Sequence, residues 1–122
     1  VHNGERFLPE AIETVLNQSF QDFELLISDD CSQDRSCEII EKYASKDSRV
    51  KRIDAGRRLG LFENYNFCIK SSTAPLIKFM AQDDTLENDA LDTIFGAFSR
   101  YPQLSLLTIG KKLINQTGAP LN

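Results

Sequence analysis

Two pairs of adjacent aspartates, Asp29-Asp30 and Asp83-Asp84, each come directly after a short apolar segment. If both segments are parallel strands, the pairs lie at the same edge of one sheet, where open parallel sheets bind ligands. Neighbouring carboxylates repel one another unless a cation or a donor-rich ligand lies between them. Mg²⁺ or Mn²⁺ held with substrate phosphates, and the hydroxyls and base N–H of a nucleoside, suit such a set. Aspartates also begin loops through local hydrogen bonds, and that alternative stays open.

Two other kinds of side chain are candidates for contact with a nucleotide. Arg57 and Arg58 lie in a basic, glycine-containing loop, and a guanidinium fork matches phosphate oxygens. His2 follows a predicted strand end, from which its ring could stack on a nucleobase. A solvated charged surface and a purely structural histidine are the alternative interpretations.

The elements that hold these residues follow from the spacing of apolar residues. Helices are predicted over residues 7–18, from a cap at Ser32 or Asp34 through Ala44, over 62–70 and over 87–100. Strands are predicted over residues 23–28, 50–53, 76–81 and 104–109. Strands that alternate with helices of this size pair in parallel through right-handed crossovers. The predicted fold is α/β, with three layers (α/β/α) and a mostly parallel sheet.

Composition excludes several classes of protein. The 122 residues suit one domain, and 41% hydrophobic with 26% charged residues is typical of globular chains rather than disordered or collagen-like ones. The net charge of −4 argues against a dedicated nucleic-acid binder. No apolar run approaches the roughly 18 residues of a membrane span. Three cysteines and one histidine offer no zinc set, so free thiols in a reducing compartment are expected.

Several short motifs occur in a fixed order along residues 1–110. They are Val-His-Asn-Gly (1–4), Val-Leu-Asn-Gln (15–18), Phe-Glu-Leu (23–25), Asp-Asp-Cys-Ser (29–32), Arg-Leu-Gly-Leu (58–61) and Gln-Asp-Asp after an apolar run (82–84). In this order they resemble glycosyltransferase family 2. Cys31 stands where the family more usually has Gly or Asn, and Arg58 where it has Asn. Ala81 stands where many members have an acidic residue.

The resemblance implies a GT-A, Rossmann-like fold with roles for individual residues. Residues 1–110 would be its nucleotide-sugar-binding part, and residues 111–122 a polar tail or truncation edge. His2 would line the nucleobase site and Asp30 would accept from the base. Arg58 is also expected at the nucleotide, on the evidence of its basic loop rather than of the resemblance. Asp83 or Asp84 would hold Mn²⁺ or Mg²⁺ at the diphosphate, while the other binds ribose or sugar hydroxyls.

The implied activity is transfer of a sugar from a nucleotide diphosphate sugar, with a UDP-sugar as the expected donor. The acceptor would be a saccharide or glycolipid, and the reaction metal-assisted and inverting. The catalytic base is expected beyond Asn122 and most of the first strand before Val1, so the fold is expected to be truncated at both ends. A cytoplasmic location is expected, at the inner face of the membrane, with any membrane attachment made by segments outside this sequence.

Two other function classes are compatible with an acidic pair after a strand. A signalling receiver domain needs a third aspartate at a later strand end, and Asp54 follows the first pair too closely to be that residue. A non-catalytic nucleotide-binding or interaction module of the same fold stays open, because Ala81 removes one acidic position.

Overall fold

A computed structural model describes residues 1–121, which contain four helices and two strands. In order they are α1 (Leu8–Leu16), β1 (Leu25–Ser28), α2 (Ser36–Ala44), β2 (Val50–Ile53), α3 (Leu61–Ser71) and α4 (Ala90–Arg100). All four predicted helices form, as do the strands predicted at 23–28 and 50–53, with small shifts at their ends. The α/β prediction is confirmed.

The core lies where α1 and α2 pack on the two strands. Leu8, Ala11, Ile12 and Val15 recur at helical spacing and are all buried on one side of α1. The proline in its first turn loses no hydrogen bond, because the N–H groups there lack an intrahelical partner. The buried cluster comprises Leu8, Ile12, Ile27, Ile40 and Val50.

The sheet is parallel, with Leu25 of β1 opposite Val50 of β2. On the other side of β1, the Val1 nitrogen donates to the Ser28 carbonyl at 2.7 Å. The Asp30 N–H donates to the Val1 carbonyl, also at 2.7 Å. This alternation is one step of a parallel ladder, so Val1 and the residues after it lie beside the carboxyl end of β1.

Two of the four predicted strands are absent. Residues 76–81 and 104–109 are apolar as expected, but among the described residues the sheet contains only β1 and β2. Ile77 is 46% exposed and Leu106 is 77% exposed, so neither segment buries a face against the core. A strand exists only where a neighbour satisfies its N–H and C=O groups, and apolar composition alone does not supply that neighbour.

The segment that begins α4 is anchored to the end of α1 by Gln18, whose side chain is 1% exposed. Its Nε2 donates to the carbonyls of Thr14 at 2.9 Å and Glu87 at 2.8 Å. Its Oε1 accepts the Leu91 N–H at 2.9 Å. Because first-turn N–H groups have no partner within their own helix, Gln18 supplies a cap from a distant part of the chain.

Residues up to Asp92 form one compact unit, and residues from Thr93 onward form a second. In the second unit, Asn115 Oδ1 accepts the N–H groups of Thr117 at 2.9 Å and Ala119 at 3.0 Å, which closes a turn. No helix within residues 1–121 has the length and apolar character needed to cross a bilayer. The division at residue 110 stays a prediction, and Asn122 lies outside the described residues.

Ile40→Ala should lower the free energy of unfolding by about 2–5 kcal/mol, because Ile40 is 0% exposed and its truncation leaves a cavity. Ile39→Ala is the matched control, since Ile39 is only partly buried. Chemical denaturation measures both variants. Equal losses would contradict the position of the core.

Candidate functional site

A buried carboxylate, Asp30, marks the carboxyl end of β1, where it is 6% exposed. Its two oxygens accept the N–H groups of Leu59 and Gly60, the latter at 2.9 Å, from the loop between β2 and α3. Gly60 has φ +77°, which a glycine adopts without steric cost. That conformation turns the loop immediately before α3. The two hydrogen bonds to Asp30 hold this loop against the end of β1.

Asp30 is held in its charged form. Burial raises the pKa of this carboxyl. The hydrogen bonds from Leu59 and Gly60, together with the Arg58 guanidinium at 4.0 Å, lower the pKa by more than burial raises it. The net pKa lies below the usual value of 3.8. A carboxylate offers about four acceptor positions, so Asp30 can accept hydrogen bonds beyond the two from the loop.

The imidazole of His2 lies between Asp30 and Arg58. Its Nδ1 is 3.0 Å from the Asp30 carbonyl oxygen, and its Nε2 is 3.3 Å from Nη2 of Arg58. A guanidinium can only donate, so Nε2 accepts and Nδ1 carries the proton that it donates to Asp30. These two contacts fix the orientation of the ring. Three residues predicted at the nucleotide site, His2, Asp30 and Arg58, are therefore neighbours.

The second acidic pair belongs to residues 82–84, here called the acidic turn. Gln82 Oε1 accepts the His2 N–H at 2.7 Å, and Gln82 Nε2 donates to the His2 carbonyl at 3.1 Å. Asp83 and Asp84 follow directly and are exposed. Gln82 contacts His2, and successive Cα atoms are only about 3.8 Å apart, so Asp83 and Asp84 lie near His2 as well. This holds although residues 76–81 do not form a strand.

The residues 1–3, 29–32, 58–60 and 82–84 thus form one polar edge, here called the rim. A groove of about 350 Å³ runs from the rim along β1, and its walls are mainly aliphatic. Its polar lining includes Ser28 and Asn64 and, from the rim, Gln82 and Asp83. An aliphatic wall does not solvate phosphate, so a charged ligand fits the exposed rim and not the groove interior.

For Asp29 the loop interpretation is the right one. Its carboxylate accepts both the N–H of Ser32, at 3.1 Å, and the Ser32 hydroxyl. Cys31 in the same turn has φ +59°, a left-handed conformation that glycine and asparagine adopt more readily than cysteine. This backbone conformation explains why glycosyltransferase family 2, which the sequence resembles, more usually has Gly or Asn at this position.

Sequence reasoning missed the polar contacts that hold residues 3–5 in place. The Gly4 N–H donates to Ser36 Oγ at 2.8 Å, and the Glu5 N–H donates to Asp34 Oδ2 at 2.9 Å. Asp34 Oδ1 also accepts the Ser36 N–H at 2.9 Å, so Asp34 bonds the first amide of α2, although the N-cap residue itself is Arg35 and not Ser32 or Asp34 as predicted. The alternation Ser32, Asp34, Ser36 was the available signal. Gln82 offered none, because its partner is 80 residues away.

The model of the family described as "Glycosyl transferase family 2" matches residues 1–119. An uncharacterized glycosyltransferase of Haemophilus influenzae is 37% identical over 92 residues, covering 75% of this chain and 37% of that protein. The Staphylococcus aureus protein named poly(ribitol-phosphate) beta-N-acetylglucosaminyltransferase TarS is 27% identical over 122 residues, covering 98% of this chain and 21% of its own. The chain spans less than half of the length of these curated relatives.

Solved structures of S. aureus TarS 1–349 have a similar fold. The complex with UDP matches with a TM-score of 0.77, and the complex with UDP-GlcNAc with 0.78, each at 20% identity. Each covers 95% of this chain, and this chain covers 38% and 36% of them. At this identity the similarity establishes the GT-A, Rossmann-like fold.

Asp30→Asn should weaken the protection of the Leu59 and Gly60 amides from hydrogen exchange by about fivefold, since a charged acceptor is stronger than a neutral one by roughly 1 kcal/mol. Asp29→Asn is the matched control, because Asp29 is bonded within its own turn. Exchange measured by NMR would contradict the role of Asp30 if both variants protect these amides equally.

The same contact makes a prediction about pH. Because the folded-state pKa of Asp30 lies below 3.8, its contribution to stability is fully present above that value. It is lost as the pH falls through the lower folded-state pKa. The amide shifts of Leu59 and Gly60, followed by NMR during acidification, should change together below pH 3.8. A midpoint above that value would be the contrary result.

Proposed function

This chain belongs to glycosyl transferase family 2, and from that membership we propose that its rim binds the nucleotide of a nucleotide diphosphate sugar. The complete protein would transfer the sugar to a saccharide or glycolipid acceptor. The observation that carries the proposal is the position of His2, which contacts Asp30, Arg58 and Gln82 from three other segments. One ligand at the rim would reach all four segments.

His2 and Asp30 would receive the base. The ring orientation is fixed by two contacts, and Asp30 keeps acceptor capacity for a base N–H. Uracil carries such an N–H group, which fits a UDP-sugar. The binding of UDP and UDP-GlcNAc by TarS, a relative with the same fold, supports this choice of donor.

The diphosphate would lie between Arg58 and the acidic turn. The side chain of Arg58 is 66% exposed, so its guanidinium is available to phosphate oxygens as well as to His2. Its positive charge and the negative charges of Asp83 and Asp84 would flank the ligand from two sides. This division of charge suits a diphosphate that is neutralised both directly and through a cation.

The residues present fit a divalent cation shared with the ligand. Within residues 1–121 no three His, Cys, Asp or Glu side chains are grouped so as to hold a metal alone. Mg²⁺ commonly uses one or two carboxylates and completes its shell with phosphate oxygens and water. Asp83 and Asp84, exposed and adjacent, match that arrangement for Mg²⁺ or Mn²⁺. When bound, the metal would stabilise the charge of the departing diphosphate.

The remaining parts of the reaction belong to other segments of the protein. We place the carboxylate base, which would deprotonate the acceptor hydroxyl in an inverting transfer, beyond Asn122. The name of the relative TarS, a poly(ribitol-phosphate) beta-N-acetylglucosaminyltransferase, supports a polymeric acceptor of the cell wall. The three cysteines are free thiols, which supports the cytoplasmic location proposed for this protein.

Asp83→Asn and Asp84→Asn should each lower the Mn²⁺-dependent affinity for UDP by about tenfold or more, because each removes a charged oxygen ligand. Asp89→Asn is the matched control, an exposed carboxylate further along the same segment. Calorimetric titration with UDP, with and without Mn²⁺, measures the effect.

Three results are informative in this titration. Loss in the two acidic-turn variants alone supports the metal role. UDP binding that is indifferent to Mn²⁺ would favour the non-catalytic binding module instead. Failure of the wild-type chain to bind UDP under either condition would contradict the proposed function.

A further inference from the structure

The carboxamide of Gln82 pairs with both backbone polar groups of His2. It accepts the His2 N–H at 2.7 Å and donates to the His2 carbonyl at 3.1 Å. In extended backbone the N–H and C=O of one residue point to the same side, where a neighbouring strand forms hydrogen bonds with both. A single side chain therefore satisfies both backbone groups of His2.

The carboxamide is also confined by packing. A Cβ placed on Gly4 would lie 2.7 Å from Gln82 Cδ and 2.9 Å from Gln82 Oε1. Real Cβ atoms essentially never approach that closely, so Gly4 leaves the space that the carboxamide fills. Two hydrogen bonds to His2 and the close approach of Gly4 thus restrict the rotation of the Gln82 side chain.

The segment that contains the acidic turn is held at two places. One of them is α1 and the other is His2. Beyond the turn, the Leu86 N–H donates to Thr14 Oγ1 at 3.2 Å, and Gln18 holds the start of α4. These contacts anchor the far end of the segment at α1. On the near end, Gln82 joins the turn directly to His2, the residue that contacts Asp30 and Arg58.

We propose that Gln82 is a positioning residue that couples the two halves of the nucleotide site. The base half is His2 with Asp30, and the metal half is Asp83 with Asp84. The inference rests on the proposed function, because it concerns how one nucleotide spans both halves. With Gln82 in place, a base bound at His2 sets the diphosphate within reach of the acidic turn, so metal and nucleotide strengthen each other's binding.

The test compares how much Mn²⁺ increases the affinity for UDP in the wild-type chain and in Gln82→Met. Methionine has a similar volume but cannot pair with the His2 backbone. The Mn²⁺-induced gain should shrink about tenfold in this variant. The affinity for uridine, which has no phosphate to reach the metal half, should stay within about twofold of the wild type. Gln103→Met, in an exposed position of the second unit, is the matched control.

A second variant tests the same coupling while Gln82 is kept. Gly4→Ala places a methyl group against the carboxamide and should displace it, which reduces the Mn²⁺-induced gain in the same way. This variant also serves if Gln82→Met does not fold. The His2 amide proton should move upfield in the NMR spectrum of either variant, because it loses its acceptor.

The possible outcomes separate the two proposals. A full Mn²⁺-induced gain in both variants overturns the role of Gln82 and leaves the proposed function intact. Equal losses of uridine and Mn²⁺–UDP affinity would also overturn it, because they indicate general structural damage. Absence of UDP binding by the wild-type chain would overturn the proposed function and this inference with it.

Discussion

The rim depends on a buried negative charge at the end of β1. Asp30 is taken out of water, which is costly unless its oxygens are satisfied, and the Leu59 and Gly60 amides satisfy them. The carbonyl of the same residue accepts from the His2 ring. One residue therefore fixes both the loop before α3 and the imidazole, and Gln82 extends the connection to the acidic turn. Removing that charge would weaken the hold on the loop before α3, since the carboxylate is the acceptor for both loop amides.

Much of the fold could be predicted because helices are local. The apolar spacing of α1, from Leu8 to Val15, is a property of eight consecutive residues, and burial of one face follows from it. The prediction of strands was less successful. Residues 76–81 have strand composition, but a strand is defined by its neighbour, and the sequence does not name that neighbour.

In the candidate site, too, features with a local sequence signal could be predicted and contacts between distant residues could not. His2, Asp30 and Arg58 could be selected because their types and their places after predicted strands suit a nucleotide, and the structure places them in contact. The contacts that arrange them could not. Gln18 and Gln82 act through amide groups on partners 69 to 80 residues away, and no local pattern announces such a pairing. Polar side chains that organise a site from a distance become visible only with coordinates.

In the proposed function, one nucleoside diphosphate spans the rim from His2 to the acidic turn. A crystal structure of the chain with UDP and Mn²⁺ tests it most directly. We expect uracil against His2 with its N–H donating to Asp30, and the cation bound by Asp83, Asp84 and the diphosphate. Nucleotide bound away from the rim, or a base turned from His2 and Asp30, would contradict it.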